Sequence, residues 1–364
     1  MYLEVMDETL RDGEQQVGVN FTSADKLFLA KEILELGIDK IGVMPIVSKY
    51  EEETSKELLN KFQDKVFAST LLSKKSVKHS MNLGFSTITL FSSLSDILLK
   101  TKGISKEVNL RSTQGITKFA KKQGLRVYFA GEDSTRADMD YLLRFIKSVE
   151  NYIEGFIVCD TVGGLKPEKV TNFLEKIKQN VKCKIGVHFH NDGGFANNNS
   201  ELAVKAGANI LSGTVGGIGE RAGNANLIEV LLNLKKEGLV SKNIKYDSLR
   251  NKEKLVLKIG GARPAKPLSK EAFYHESGIH TNALLKNTLS YNCIDPKEAG
   301  KEKAYFFGKF SGVSSYKHLF NDKYDNNKLE KIRDSIKEKA YKENRSFTSV
   351  EIIKMDQEGT LLRN

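Results

Sequence analysis

Residues 2–15, YLEVMDETLRDGEQ, join a short apolar strand candidate (2-YLEVMD-7) to a polar loop in which Arg11 lies beside Asp12. The same sequence of strand, polar turn and helix recurs along the first 240 residues. Further strand candidates are 38-IDKIGVMP-45, 66-VFAST-70, 86-STITLF-91, 125-LRVYFA-130, 155-GFIVCD-160, 184-KIGVHF-189 and 209-NILSGTV-215. Helical stretches separate them. In 24-ADKLFLAKEILEL-36, Leu27, Ala30 and Leu34 fall on one face, Thr22 and Asp25 can form a capping box, and Gly37 stops the helix. Eight strands, each followed by a helix, predict an α/β fold of the (β/α)8 TIM-barrel type over residues 1–240. The polar residues support it. Asp12, Glu132, Thr161, His190 and the loop 216-GGIGERAGN-224 all fall at or just beyond the C-terminal end of a strand candidate, the face on which barrels build their sites. A doubly wound open sheet normally carries one dominant phosphate loop instead.

His188 and His190, in 188-HFHND-192, stand at positions i and i+2 and so point to one side of a strand. With the hard carboxylate of Asp12 they form a two-histidine, one-carboxylate set that can hold a divalent metal and leave coordination positions open. Mn, Mg, Zn and Co all suit such mixed donors. Asn224 can add an amide oxygen, or can simply be a turn residue beside Gly223. Arg11 can neutralise Asp12, or its planar fork can stabilise an oxyanion. Thr161, in 160-DTVGG-164, can hold a substrate carboxylate or cap a helix. Glu132, in 131-GEDSTR-136, is open in the same way, because Asp133 or Ser134 can cap the next helix.

Composition narrows the class. The chain has 364 residues and a net charge of +11. Its lysines are spread over helix faces, as in 73-SKKSVKHS-80 and 234-LKKEG-238, without a basic stripe interleaved with aromatics, so no nucleic-acid partner is expected. Basic surface also suits small polyanionic substrates. No apolar run approaches the roughly 18 residues that span a bilayer, and no signal peptide is read at the start. Three cysteines, Cys159, Cys183 and Cys293, are widely spaced. A reducing cytoplasm is therefore expected. The loop 216-GGIGERAG-223 nearly matches a dinucleotide fingerprint but lacks its βαβ context and later acidic partner.

Residues 241–364 change character, with more charged helical sequence. They carry 275-HESGIHTNALLK-286, 291-YNCIDP-296 and 306-FFGKFSG-312, and then an amphipathic helix over 326–345. A mostly helical C-terminal subdomain is expected. His280, between Ile279 and Thr281, is a candidate general base, since imidazole titrates near neutrality.

DETLRDGEQ, HFHND, SGTVGGIGERAGNANL and HESGIH followed by LLKNTLSYNCIDP are collinear over most of the chain. At these residues the chain resembles the metal-dependent Claisen-condensing enzymes: homocitrate, 2-isopropylmalate and citramalate synthases and, more distantly, hydroxymethylglutaryl-CoA lyase. The resemblance implies an acyltransferase that condenses acetyl-CoA with a 2-oxoacid and hydrolyses the thioester. 2-Oxoglutarate comes first as acceptor, giving a homocitrate-like 2-hydroxy acid; other 2-oxoacids, or a specialised paralogue with weak condensing activity, are the alternatives. It further implies Asp12, His188, His190 and Asn224 at the metal, Arg11 polarising the ketone, Thr161 on the 2-oxoacid carboxylate, and Glu132, His280 and Tyr291 as the acid–base group. In such families the segment with the equivalent of His280 reaches into a neighbouring barrel, which implies a homodimer with shared sites. About 50 residues follow Gly312, too few for the regulatory domain of the longer synthases, so feedback through such a domain is not expected. Three positions depart from the pattern. Gly42 stands where a glutamate usually pairs with the arginine, Leu98 where histidine is common, and Phe310 where many relatives have histidine.

Overall fold

The computed structural model describes residues 2–240, 243–263 and 266–362. Eight parallel strands close into a barrel: β1 (Glu4–Asp7), β2 (Lys40–Val43), β3 (Val66–Thr70), β4 (Thr87–Ser93), β5 (Arg126–Glu132), β6 (Gly155–Asp160), β7 (Lys184–Phe189) and β8 (Ile210–Gly213). They pair in chain order, and β1 closes on β8 with Glu4 opposite Ile210 and Asp7 opposite Gly213. This is the expected (β/α)8 TIM barrel. Three strands, β1, β2 and β8, are shorter than their apolar runs. Pro45 offers no N–H for the ladder after β2, and Thr214, past the end of β8, pairs with Asn226 from the returning loop. Two others are longer: β4 and β5 stay in register to Ser93 opposite Glu132. Glu132 is thus the last residue of a strand rather than part of a loop.

Met6, Phe67, Tyr128, Ile157, Cys159 and Ile210 fill the barrel interior. At its amino end, the Tyr128 hydroxyl donates to Glu4 Oε1 at 2.6 Å. Outside the strands, Leu29 and Ile33 from the helix Ser23–Leu34 join the main core with Leu142, Phe145, Leu174 and Leu231. That first helix has the expected reciprocal cap between Thr22 and Asp25. The helix Leu249–Ile259 also belongs to the barrel, because Leu249 and Val256 are buried in the same core, which runs on to Ala262. Residue 241, where sequence put the domain boundary, lies outside the described residues.

The C-terminal region adds a small sheet to its helices. β10 (Ala304–Phe307) lies between β9 (Tyr274–His275), parallel to it, and β11 (Phe347–Thr348), antiparallel. Phe307, Tyr316, Leu329, Ile332, Ile336, Phe347 and Ile352 make a second core beneath the helices Val313–Leu319, Asn326–Glu343 and Ser349–Gln357. This unit sits over the C-terminal mouth of the barrel. Lys309 Nζ reaches Glu14 Oε1 at 2.8 Å and the Phe21 carbonyl at 2.7 Å, while Lys26 binds Glu14 and Glu51 at 2.5 Å each. All four charged groups are buried. Deleting one partner of such a network strands a charge at a cost of about 3–5 kcal/mol, so the network holds the two units in register.

Candidate metal centre and active site

β1 and β7 deliver the candidate ligands. β7 ends at Phe189, and its alternation aims His188 inward while the chain turns at His190. Asp12 comes from the loop after β1. Asp12 Oδ2 lies 3.3 Å from His188 Nε2 and 3.8 Å from His190 Nε2, and all three side chains are buried. One donor atom from each falls within 4.8 Å of the others. His188 Nδ1 is 3.0 Å from Ser212 Oγ on β8, so its Nε2 is the nitrogen left facing Asp12. A partner on the second ring nitrogen is the usual way a ligand histidine is oriented. The Glu220 N–H, from the glycine loop, donates to Asp12 Oδ1 at 3.3 Å.

The protonation states suit cation binding. Burial alone pushes the Asp12 carboxyl up, but the Arg11 guanidinium, with a hydrogen bond from His188, helps to bring it well below the ordinary range. Burial holds the His190 imidazole well below its usual value, hence neutral. A metal needs these forms, an anionic carboxylate facing neutral imidazole. Asn224 pairs with His190 across an isolated bridge. Its Nδ2 donates to the Ile218 carbonyl at 3.1 Å, while its buried Oδ1 has no hydrogen-bond partner. An orphaned carbonyl oxygen beside the triad fits a fourth ligand. The donor set therefore fits a divalent cation.

Arg11 Nε donates to Glu8 Oε2 at 2.8 Å, and Nη1 lies 3.5 Å from Asp12 Oδ2. Burial alone would lower the pKa of the guanidinium, but Glu8 and Asp12 raise it above its ordinary value. Thr161 lines the same cavity. Its hydroxyl accepts from the Asp133 N–H at 2.8 Å, and its carbonyl accepts from Arg221 Nη2 at 2.5 Å. The hydroxyl hydrogen is left to donate to a ligand.

Glu132 accepts from Lys102 at 2.8 Å and from the hydroxyls of Ser93 and Tyr291. Burial raises its carboxyl, but Lys102 and these hydrogen bonds outweigh that and hold it at about 2. It is an anchored carboxylate at neutral pH, suited to accept hydrogen bonds rather than to give a proton. Tyr291 is fully buried and stacks on His280, with centroids 3.8 Å apart and planes 22° apart. His280 Nδ1 lies 3.5 Å from Glu220 Oε2. Both atoms are buried and without a hydrogen-bond partner. Glu220, His275 and His280 also form a second group whose donor atoms lie within 4.8 Å of one another.

One cavity at the barrel mouth is thus lined by Arg11, Asp12, Glu132, Thr161, His188, His190 and His280. Asn224 and Tyr291 stand behind it. The segment 278–291 that carries His280 is seated on its own barrel: Arg136 Nη1 and Nη2 donate to the carbonyls of Leu289 and Ser290. Reciprocal exchange of this segment between two chains would form the same contacts. Two of the three departures have local explanations. Leu98 is fully buried against Ala283, Leu284 and Tyr291, and so helps to seat the segment. At Phe310 the work is done by the backbone, whose carbonyl accepts from Gly278 N–H at 3.0 Å.

Sequence reading did not single out Glu8, Lys102, Ser212 and Glu220. Glu8 and Glu220 were in view, inside the opening motif and the glycine loop. Nothing along the chain ties Lys102 or Ser212 to residues 30 and 24 positions away.

The family model described as HMGL-like matches residues 2–256, and the one described as homocitrate synthase post-HMGL domain-like matches residues 268–344. A 2-isopropylmalate synthase of Sulfurisphaera tokodaii is 35% identical over 97% of this chain and 94% of its own length. A putative (R)-citramalate synthase of Archaeoglobus fulgidus is 33% identical over 88% of this chain and 68% of its own. A homocitrate synthase of Methanothermobacter thermautotrophicus is 32% identical over 86% and 82%. Among solved structures, the HMG-CoA lyase of Bacillus subtilis shares the fold with a TM-score of 0.64 at 19% identity, covering 73% of this chain and 95% of the lyase. The chain belongs to the HMGL-like family, with a homocitrate synthase-type domain following its barrel.

Proposed function

We propose that this protein is a metal-dependent acyltransferase that condenses acetyl-CoA with a 2-oxoacid and releases the product as a 2-hydroxy acid. The observation that carries the reading is the cavity at the barrel mouth, where a carboxylate and two imidazoles meet a guanidinium, a threonine hydroxyl and a histidine. The relatives named as citramalate, isopropylmalate and homocitrate synthases support the reaction class. Asp12, His188 and His190, with Asn224, would hold a divalent metal, which supplies Lewis-acid polarisation of the acceptor ketone. Arg11 faces the developing oxyanion, and Thr161 donates to the acceptor carboxylate. His280 takes the acetyl methyl proton, a step whose general-base contribution is about 10²- to 10⁴-fold. Glu132 orients the Tyr291 hydroxyl. Carbon–carbon bond formation is followed by attack of water on the thioester, which releases the thiol.

Resemblance places 2-oxoglutarate first among acceptors. The lining of the cavity supports a different order. Apart from its histidines, Arg11 is the cation among the described lining residues, and it already pairs with Glu8 and Asp12. The remainder includes Met44, Phe91, Ala130 and Ile157, with Glu8 and Glu132 as further anions. A second carboxylate would enter without a free counter-charge, and burying an unpaired charge is expensive. We therefore place monocarboxylic 2-oxoacids with small apolar side chains ahead of 2-oxoglutarate.

Free-thiol release from acetyl-CoA, run against a panel of 2-oxoacids, tests both parts. Chelated protein should be inactive, and Mn, Mg, Zn or Co should restore turnover. No release with any 2-oxoacid in the metal-loaded protein ends the reading. Fastest turnover with 2-oxoglutarate overturns the acceptor order.

A further inference from the structure

Gly42 lies in the middle of β2, facing the interior, and its φ is not positive, so its backbone makes no demand for glycine. The space does. A Cβ at Gly42 would stand 2.2 Å from Glu8 Oε2 and 2.8 Å from Phe67 Cζ. The volume above Gly42 is filled by the Glu8 carboxylate, which arrives from the end of β1. Glu8 is only 4% exposed, and its backbone N–H donates to the Gly213 carbonyl at 2.9 Å, so its origin is held by the closing strand pair. The same Oε2 accepts from Arg11 Nε at 2.8 Å. Arg11 is thereby gripped on one edge by Glu8 and faces Asp12 with the other, at 3.5 Å.

We propose that Glu8 is the positioning residue for Arg11, and that Gly42 is glycine because the carboxylate serving this arginine is supplied from β1 instead of β2. The role in turnover rests on the condensation reading above. A guanidinium with one edge fixed has its remaining N–H groups aimed before substrate arrives, and preorganised donors of this kind owe their effect to not having to reorient. A neutral or shorter residue at position 8 leaves the fork free to rotate onto Asp12, where it competes with a cation for the same oxygen. Positions 8 and 42 are then two origins for one carboxylate site. A side chain starting from position 42 points directly at the atom that Glu8 now places there.

The test exchanges the two origins in the full-length, Mn-loaded protein. Glu8→Thr should lower kcat on the order of 10²-fold, the scale for a disturbed oxyanion donor, with KM for acetyl-CoA changed by less than about twofold, the pattern of an interaction made chiefly in the transition state. Gly42→Glu alone should also be impaired, because two carboxylates then claim one site. The pair Glu8→Thr with Gly42→Glu should recover to within about tenfold of the parent. A purely structural role would not give recovery from two damaging changes. Melting curves and Mn affinity identify variants that are folded and metal-competent. Near-parental kcat in Glu8→Thr overturns the proposal, as does a folded, Mn-binding double variant that stays as impaired as Glu8→Thr. If the parent turns over no 2-oxoacid at all, the condensation reading fails, and calorimetric binding of pyruvate in the presence of Mn then decides the role of Glu8. Weaker binding in Glu8→Thr and its return in the exchanged pair support it; equal binding in all three proteins overturns it.

Discussion

Tyr291→Ala should loosen the segment that carries His280 over the barrel mouth. The Tyr291 ring is fully buried among Leu98, Ala283 and Leu284, stacks on His280 at 3.8 Å, and sends its hydroxyl to Glu132. Truncating a buried aromatic costs about 3–5 kcal/mol. Tyr291→Phe keeps the ring and removes one hydrogen bond to an ionised acceptor, about 1.5–3 kcal/mol. Glu132 still has Lys102 and Ser93 as partners, so the lower end applies. The two variants should therefore differ by about 2 kcal/mol, or roughly 30-fold in the population of the undocked segment, at tenfold per 1.4 kcal/mol. Amide hydrogen exchange over residues 278–291 reads that population, and a melting curve reports whether the barrel stays intact. The alanine variant should exchange faster in this segment while the strands keep their protection. The phenylalanine variant should exchange only about tenfold faster than the parent, from its smaller loss of about 1.5 kcal/mol, and should lose turnover because its proton-bearing group has gone. Parental protection in the alanine variant would refute the reasoning, since the ring would then not be what seats the segment. Equal exchange in the two variants would assign the docking to the hydroxyl instead of the ring.

Two further outcomes follow from the site. Glu132 titrates at about 2 in the fold, against an ordinary 4.5. A depressed carboxyl contributes stability that is fully present above pH 4.5 and is lost as pH falls towards 2, here about 3 kcal/mol; urea unfolding between those pH values should show a shallower pH dependence in Glu132→Gln, and an unchanged slope would remove Glu132 as the source. The crossing to a partner implied by the family resemblance remains our proposal for the assembled protein: mixing His280→Ala with Arg11→Ala under verified subunit exchange should restore activity at no more than about half of the sites in mixed dimers, whereas no recovery would assign His280 to its own barrel, where the single chain seats it.

Much of the candidate site was legible because its residues lie in short, local patterns. Asp12 and Arg11 are neighbours in one loop, and His188 and His190 are two apart on one strand, so spacing alone aimed each pair. Glu132 and Thr161 were legible as strand-end residues, but their partners were not. The reading of Glu132 as part of an acid–base group changed once Lys102, Ser93 and Tyr291 were seen around it, because those contacts keep it ionised. Gly42 looked like a lost carboxylate when viewed along β2 alone.

The sequence by itself determined the alternation of strand and helix, and with it the barrel. Hydrophobic period and capping residues act over a few positions, and each strand's polar end is written next to it. The candidate metal triad was determined in the same way, as two local motifs that the closed barrel brings to one mouth. Only the tertiary structure decided which carboxylate serves Arg11, which nitrogen of His188 faces the site, and that Leu98 and Tyr291 seat the segment bearing His280. Those outcomes depend on the distance between atoms far apart in the chain, such as Glu8 Oε2 and the Cα of Gly42, against which it packs. Such distances are set by how the strands close and pack, and no local pattern of residue types encodes them.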